Sequence, residues 1–187
     1  MHVINTKFQG LKIIQQKKFQ DSRGSLRETF KKKIIKWDNL IFDYVTASKK
    51  NVLRGFHFNS KFPQAKFVAV IKGKIFDYVI DLRRKSKTFG KSFSIVLSEN
   101  NCKSLYIPEG FAHAYYSFAK LNLIYYKLSD YYKPKYESGI LWNAKGLKLK
   151  WPAINLFLLK ETENGDLSQI LKKFIKVFKL KLKVYFF

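Results

Sequence analysis

The sequence predicts a mainly β chain, an antiparallel sandwich or barrel, and three observations lead there. From about residue 8 to residue 150 the apolar residues fall in short continuous or alternating runs, each closed by Gly, Pro, Asn or a charged cluster. Helical periods do not separate these runs, so a parallel sheet with crossover helices is excluded. The chain has 187 residues, 47% of them hydrophobic and 17% aromatic, which suits one well-buried core and rules out general disorder.

Taken in order, a short helix is expected around residues 30–37. Phe67-Val68-Ala69-Val70-Ile71 is a continuous strand ended by Lys72-Gly73-Lys74. Residues 75–82 alternate as a half-buried strand and stop at Arg83-Arg84-Lys85-Ser86-Lys87. Ser92-Phe93-Ser94-Ile95-Val96-Leu97 follows Gly90, Lys103-Ser104-Leu105-Tyr106-Ile107 runs into Pro108, and residues 121–128 form a Tyr-rich strand. Beyond residue 167 the character changes. Leu167, Ile170, Leu171, Phe174, Ile175 and Phe178 recur at helical spacing with Lys172, Lys173 and Lys176 opposite, which predicts a basic amphipathic helix. That helix packs on its own sandwich, on a partner subunit or on a membrane surface. The expected organisation is one domain over 1–187, with a barrel over 8–167 and a basic helix or tail over 168–187.

Composition also bounds the function. No run of 18 or more apolar residues occurs, so no membrane span is expected, and the N-terminus lacks the pattern of a secretory signal. Cys102 stands alone, which excludes a disulfide framework and fits a reducing, cytoplasmic setting. The formal charge is +24, yet it comes from 32 Lys and only 5 Arg spread along the whole chain. Base readout and bidentate phosphate contacts favour Arg, so no nucleic-acid partner is expected. A basic surface would still draw in a nucleotide diphosphate.

Two of the three histidines lie in Gly- or Pro-punctuated motifs, Arg54-Gly55-Phe56-His57-Phe58 and Ile107-Pro108-Glu109-Gly110-Phe111-Ala112-His113. They read as one pocket assembled from two halves of the chain. His57-x-Asn59, Lys66, Gly73 and the later Pro108-x-Gly110-x-x-His113 resemble the paired motifs of cupin barrels, where His-x-His, a Glu and a later His hold a divalent metal. Here Asn59 and Lys66 replace two of those ligands. An ammonium where a cation should sit repels it, so no metal is expected. A base, a fixed cation and phenols instead suit enolisation. The base removes a proton beside a carbonyl, the cation steadies the enolate oxygen, and a phenol returns the proton on the opposite face. Such chemistry requires no cofactor.

With these motifs the chain resembles the dTDP-4-dehydrorhamnose 3,5-epimerase family from residue 8 to about residue 167. The similarity is carried by Asp21-Ser22-Arg23-Gly24, Val52-Leu53-Arg54-Gly55-Phe56-His57, Gln64-Ala65-Lys66, Asp81-Leu82-Arg83, Ser86-Lys87-Thr88-Phe89-Gly90, the segment ending at His113, Asp130-Tyr131-Tyr132, Leu141-Trp142-Asn143 and Trp151-Pro152. It implies a cupin-type jelly roll of antiparallel strands with a few short helices, a homodimer, and a nucleotide-linked 4-keto-6-deoxy sugar epimerised at carbon 3, carbon 5 or both. By resemblance, His57 is the base, Lys66 lies near the sugar carbonyl, His113 is a pocket histidine, Tyr126 is the acid and Tyr132 is a further pocket tyrosine. Arg54 and Arg23 correspond to diphosphate contacts, with Arg23 reaching the neighbouring subunit's site, and Glu28 to another substrate-side position.

The sequence departs from the family at several points. Asn59 stands where the family has Gln. Tyr44-Val45-Thr46 replaces Asn-x-Ser type residues that line the nucleotide side, and Ala144 replaces the Asp after Trp-Asn. Depending on a one-residue gap after Pro152, the Asp that orients the base in the family corresponds to Glu163 or to Thr162. These departures leave open a single-centre epimerase acting on a GDP-linked keto-heptose, a 3,4-ketoisomerase, or a sugar-nucleotide-binding cupin without activity.

Overall fold

The computed structural model describes residues 1–36, 39–144, 147, 149–152 and the backbone of 157–158. Alternation along the strands builds two facing sheets. The first runs in the order β1 (His2–Asn5), β2 (Lys12–Gln15), β10 (Lys103–Ile107), β7 (Lys66–Lys72), β12 (Leu121–Leu128), β5 (Phe42–Lys49). The second runs β13 (Glu137–Gly139), β6 (Val52–Asn59), β11 (Phe111–Ser117), β8 (Lys74–Asp81), β9 (Ser92–Ser98), with β14 (Phe157–Leu158) paired in parallel with the start of β6. The remaining pairings within both sheets are antiparallel. This is the jelly-roll architecture expected of a cupin-type barrel. A separate hairpin, β3 (Lys18–Asp21) with β4 (Gly24–Arg27), projects from it.

The period of two decides which side chains face inward. Val68 and Val70, Ile124 and Leu128, and Leu105 and Ile107 of the first sheet meet Ile75, Val79, Leu97, Phe111 and Tyr115 of the second in one buried cluster. The intervening residues pack outward. Phe67, Ala69 and Tyr106 lie against Ile14 and Ile35, while Phe56, Tyr78, Ile80 and Ala112 lie under Ile140, Ala144 and Trp151. Burial of each large aliphatic side chain contributes about 1.5–3 kcal/mol, and a slip of one residue would turn a whole strand inside out. The register is therefore strongly held. Polar residues on the inward parity, Lys66, Asp77 and His113 among them, are carried into the interior by it.

Residues 30–36 differ from the helix expected over 30–37, and residue 37 lies outside the described residues. Residues 32–34 form a single turn, with the Ile34 and Ile35 amides both donating to the Lys31 carbonyl at 2.9 Å. So short a segment makes too few hydrogen bonds to offset helix nucleation, and burying Ile35 against the outer face of the first sheet decides its path. Among the described residues the helical structure is one 3₁₀ turn, Pro134–Tyr136, and no helix is long and apolar enough to cross a membrane. The basic helix or tail expected over 168–187 lies outside the described residues.

One backbone contact sets the spacing of the second sheet. His57 and His113 are direct cross-strand partners, and the β6–β11 register shifts just beyond them, between His113 and Tyr115. Gly55 lies at that irregularity with φ +103°. A Cβ there would overlap the His113 carbonyl oxygen and lie 2.7 Å from Ala114 Cα. Only glycine combines this φ with so close an approach. Gly55→Ala is expected to cost about 3 kcal/mol in urea denaturation, from backbone strain and forced separation of the strands.

Candidate active site

Strands from both sheets meet around a cavity of about 310 Å³ lined by Phe42, Tyr44, His57, Phe58, Asn59, Gln64, Lys66, Leu128, Tyr132 and Glu137. The second sheet supplies His57 from β6 and Glu137 from β13, with His113 from β11 and Asp77 from β8 beneath them. The first sheet supplies Lys66 from the start of β7 and Phe42 and Tyr44 from β5, with Tyr126 of β12 stacked on Tyr44. One wall thus offers imidazole and carboxylate, and the facing wall offers an ammonium and aromatic rings.

His57 Nδ1 stands 3.2 Å from Glu137 Oε1, an ion-pair distance reached off the line a hydrogen bond prefers. The Tyr132 hydroxyl donates to Glu137 Oε2 at 2.6 Å. The His57 imidazole, the Tyr132 hydroxyl and the Lys66 charge together outweigh burial and hold the Glu137 carboxyl down at about 2. Glu137 is therefore a carboxylate at neutral pH. It can orient the imidazole and compensate the charge that His57 acquires on taking a proton.

Deeper in, His113 Nε2 and Asp77 Oδ2 are 2.9 Å apart, 6% and 0% exposed. Burial pushes the Asp77 carboxyl up, and His113 and Lys66 pull it back. Asp77 Oδ1 has no hydrogen-bond partner among the described residues. Burial also pushes the Lys66 ammonium down, opposed by the Glu137 and Asp77 charges. A lysine that lines the cavity and feels the charges of Glu137 and Asp77 is suited to stabilising an oxyanion.

Tyr126 packs edge-on to His113 at 6.1 Å between centroids and stacks on Tyr44 at 4.9 Å. Burial, then the neighbouring Tyr115 and Tyr44, push its hydroxyl well above the usual phenol range, while Arg54 draws it down. It remains protonated at neutral pH. Arg54 Nε donates to Ser48 Oγ at 3.2 Å, and that oxygen is 2.8 Å from the Tyr115 hydroxyl.

The structure thus gathers His57, Lys66, Asn59 and Tyr132 on one cavity. His113 and Tyr126 pack against each other outside its lining, and Tyr126 adjoins the cavity through Tyr44, on which it stacks. The Asn59 side chain is turned locally, accepting from the Lys61 and Phe62 amides at 3.1 and 2.8 Å. Arg23 lies on the projecting hairpin with its side chain 89% exposed, paired to Asp21, and Glu28 pairs with Lys31 at the hairpin base. Neither lines the cavity of its own chain. Glu163 and Thr162 lie outside the described residues, and the carboxylate found beside His57 is Glu137. Sequence reasoning missed both Glu137 and Asp77. Asp77 carried a usable signal, an acid on the inward parity of Ile75-Phe76-Asp77-Tyr78-Val79.

A jelly roll with imidazole, amine and phenol side chains gathered at one cavity fits the isomerase class of enzymes. Comparison with known proteins makes the assignment specific. Residues 5–169 match the family model for dTDP-4-dehydrorhamnose 3,5-epimerase. The chain is 38% identical over 153 residues to the enzyme of that name from Methanothermobacter thermautotrophicus, covering 80% of this chain and 83% of that one. It is 35% identical over 172 residues to the Shigella flexneri enzyme, covering 89% and 95%. The crystal structure of dTDP-6-deoxy-D-glucose-3,5-epimerase from Legionella pneumophila in complex with dTDP-4-keto-L-rhamnose superposes with a TM-score of 0.78 at 36% identity, covering 83% of this chain and 85% of that one. The chain belongs to the dTDP-4-dehydrorhamnose 3,5-epimerase family and is an enzyme of the isomerase class.

The Glu137 carboxyl has a pH signature. Its folded value of about 2 lies below the ordinary 4.5, so its contribution to stability is fully present above 4.5 and lost as pH falls towards 2. Glu137→Gln is expected to flatten that part of the stability profile, measured by urea midpoints across the same window.

Proposed function

We propose that the chain inverts carbon 3, carbon 5 or both of a nucleoside-diphosphate 4-keto-6-deoxy sugar of the dTDP-4-dehydro-6-deoxyglucose type, supplying an activated deoxy sugar for surface polysaccharide. The observation that carries this reading is the opposition of His57 and Glu137 on one sheet to Lys66 and the phenols on the other, across a single cavity. His57 takes the proton beside the 4-keto group, and the electron pair moves onto the carbonyl oxygen facing Lys66. Tyr126 then returns a proton to the carbon from the opposite wall, which inverts it. Proton transfer alone completes the cycle, so neither a redox group nor a covalent intermediate is needed.

The projecting hairpin supports a homodimeric form of the same reading. Phe19 and Leu26 on it are 54% and 64% exposed, an apolar pair that its own chain leaves uncovered. Packed on a second copy, the hairpin would bring Arg23 to the partner's site as a diphosphate ligand, as would Arg54 within the chain. A basic protein also draws the doubly charged diphosphate inward.

Two experiments test this. In heavy water the wild-type enzyme should wash deuterium into the α-positions of the keto sugar, read by mass, and His57→Asn should slow that exchange by about 10²–10⁴-fold. Absence of exchange by the wild type over a panel of nucleotide-linked keto sugars would sink the proposal. Tyr126→Phe should reduce inversion more than exchange, because the base acts first. For the shared site, Arg23→Ala and His57→Asn subunits, each weakly active alone, should recover about a quarter of wild-type activity when mixed and allowed to exchange, since half the dimers then hold one intact site.

A further inference from the structure

The β5 wall of the cavity holds a phenol that the reaction outlined above does not use. Tyr44 is the direct cross-strand partner of Tyr126, and their rings stack with only 22° between planes. Tyr44 lines the cavity beside His57, Lys66 and Glu137, and it is 37% exposed where Tyr126 is 4% exposed. Phe42 packs against its ring at 5.7 Å and holds it in place. Among the described residues its hydroxyl has no hydrogen-bond partner, whereas the Tyr132 hydroxyl proton is already given to Glu137.

We propose that Tyr44 is a second proton-donating phenol of this site, returning hydrogen to one of the two carbons that His57 deprotonates. The inference rests on the epimerase reading and deepens it. Carbons 3 and 5 flank one carbonyl, so two inversions require protons delivered at two points on the face away from the base. A single buried phenol serves one of them. Two stacked phenols offer adjacent donors on the same wall.

The step balances without a further reactant. His57 takes the α-proton and its bonding pair becomes the enolate. The Tyr44 O–H bond then breaks as a new C–H bond forms, the enolate collapses to the ketone, and Tyr44 is left as a phenolate. Tyr44 is open enough to regain its proton from water, and His57 loses its proton to water in the same way. Burial first, then Tyr115, Glu137 and Tyr132, raise the Tyr44 hydroxyl to about 12. It is thus held protonated at neutral pH, as a donor must be.

Tyr44→Phe tests the proposal because it removes the hydroxyl and keeps the stacked ring, and an unchanged thermal midpoint checks that the fold is intact. Wild type, Tyr44→Phe and Tyr126→Phe are each incubated with dTDP-4-dehydro-6-deoxyglucose in heavy water, with deuterium counted by mass and configuration read by NMR. The expected result is that Tyr44→Phe retains exchange within about twofold but loses inversion at one centre by about 10²-fold or more, at a carbon that Tyr126→Phe affects less. Wild-type inversion rates in Tyr44→Phe would overturn the proposal and leave the epimerase reading standing. A wild-type enzyme that exchanges no hydrogen would instead overturn the epimerase reading itself.

Discussion

The close approach of β6 to β11 at Gly55 is the constraint on which the site depends. It makes His57 and His113 direct neighbours across the ladder and fixes both on the inward face of the second sheet. From that one register the rest follows by alternation. Asp77 on β8 comes to lie under His113, and β13, pairing on the other edge of β6 with Gly139 opposite His57, brings Glu137 beside His57. A side chain at position 55 would separate the strands and, with them, the two histidines.

The charged groups gathered there are costly. A buried carboxylate or ammonium loses several kcal/mol of hydration, and even a well-made pair seldom returns more than it loses. Apolar residues at Lys66, Asp77 and His113 would extend the surrounding cluster of Val68, Val79 and Phe111 more favourably. That these polar groups lie in so apolar a core is best explained by chemistry rather than stability. Their arrangement limits the cost. Asp77 contacts His113 and feels Lys66, while Glu137 answers His57, Tyr132 and Lys66, so each charge has an opposite or a hydrogen bond near it.

The two sheets divide the labour that inversion demands. In the mechanism proposed above, an inverted carbon loses its proton to one face and receives another on the opposite face, and the walls of two facing sheets offer such faces. The jelly roll supplies such walls wherever inward positions of its two sheets are polar at the same end. Tyr44 and Tyr126, stacked across β5 and β12, place two adjacent phenols on the wall facing His57.

Much of this was legible in the sequence, for local reasons. Alternation and punctuation located β10 and β12 to the residue, because period two and a closing Pro or charged cluster are properties of the strand itself. The glycine and proline motifs drew attention to His57 and His113, and Lys66 could be read as hostile to a metal from its position alone. What the chain could not display was which distant residue meets which. Glu137 is eighty residues beyond His57, and only the pairing of β13 with β6 makes it the neighbour of the base. Tyr44 was visible merely as a departure from the family pattern, and Asp77 as one acid in an apolar strand. Local chemistry determined the strands and singled out His57, His113 and Lys66. The tertiary pairing decided that Glu137 meets His57 and that Tyr44 stacks on Tyr126, because sheet neighbours are set by packing between segments that carry no mark of one another.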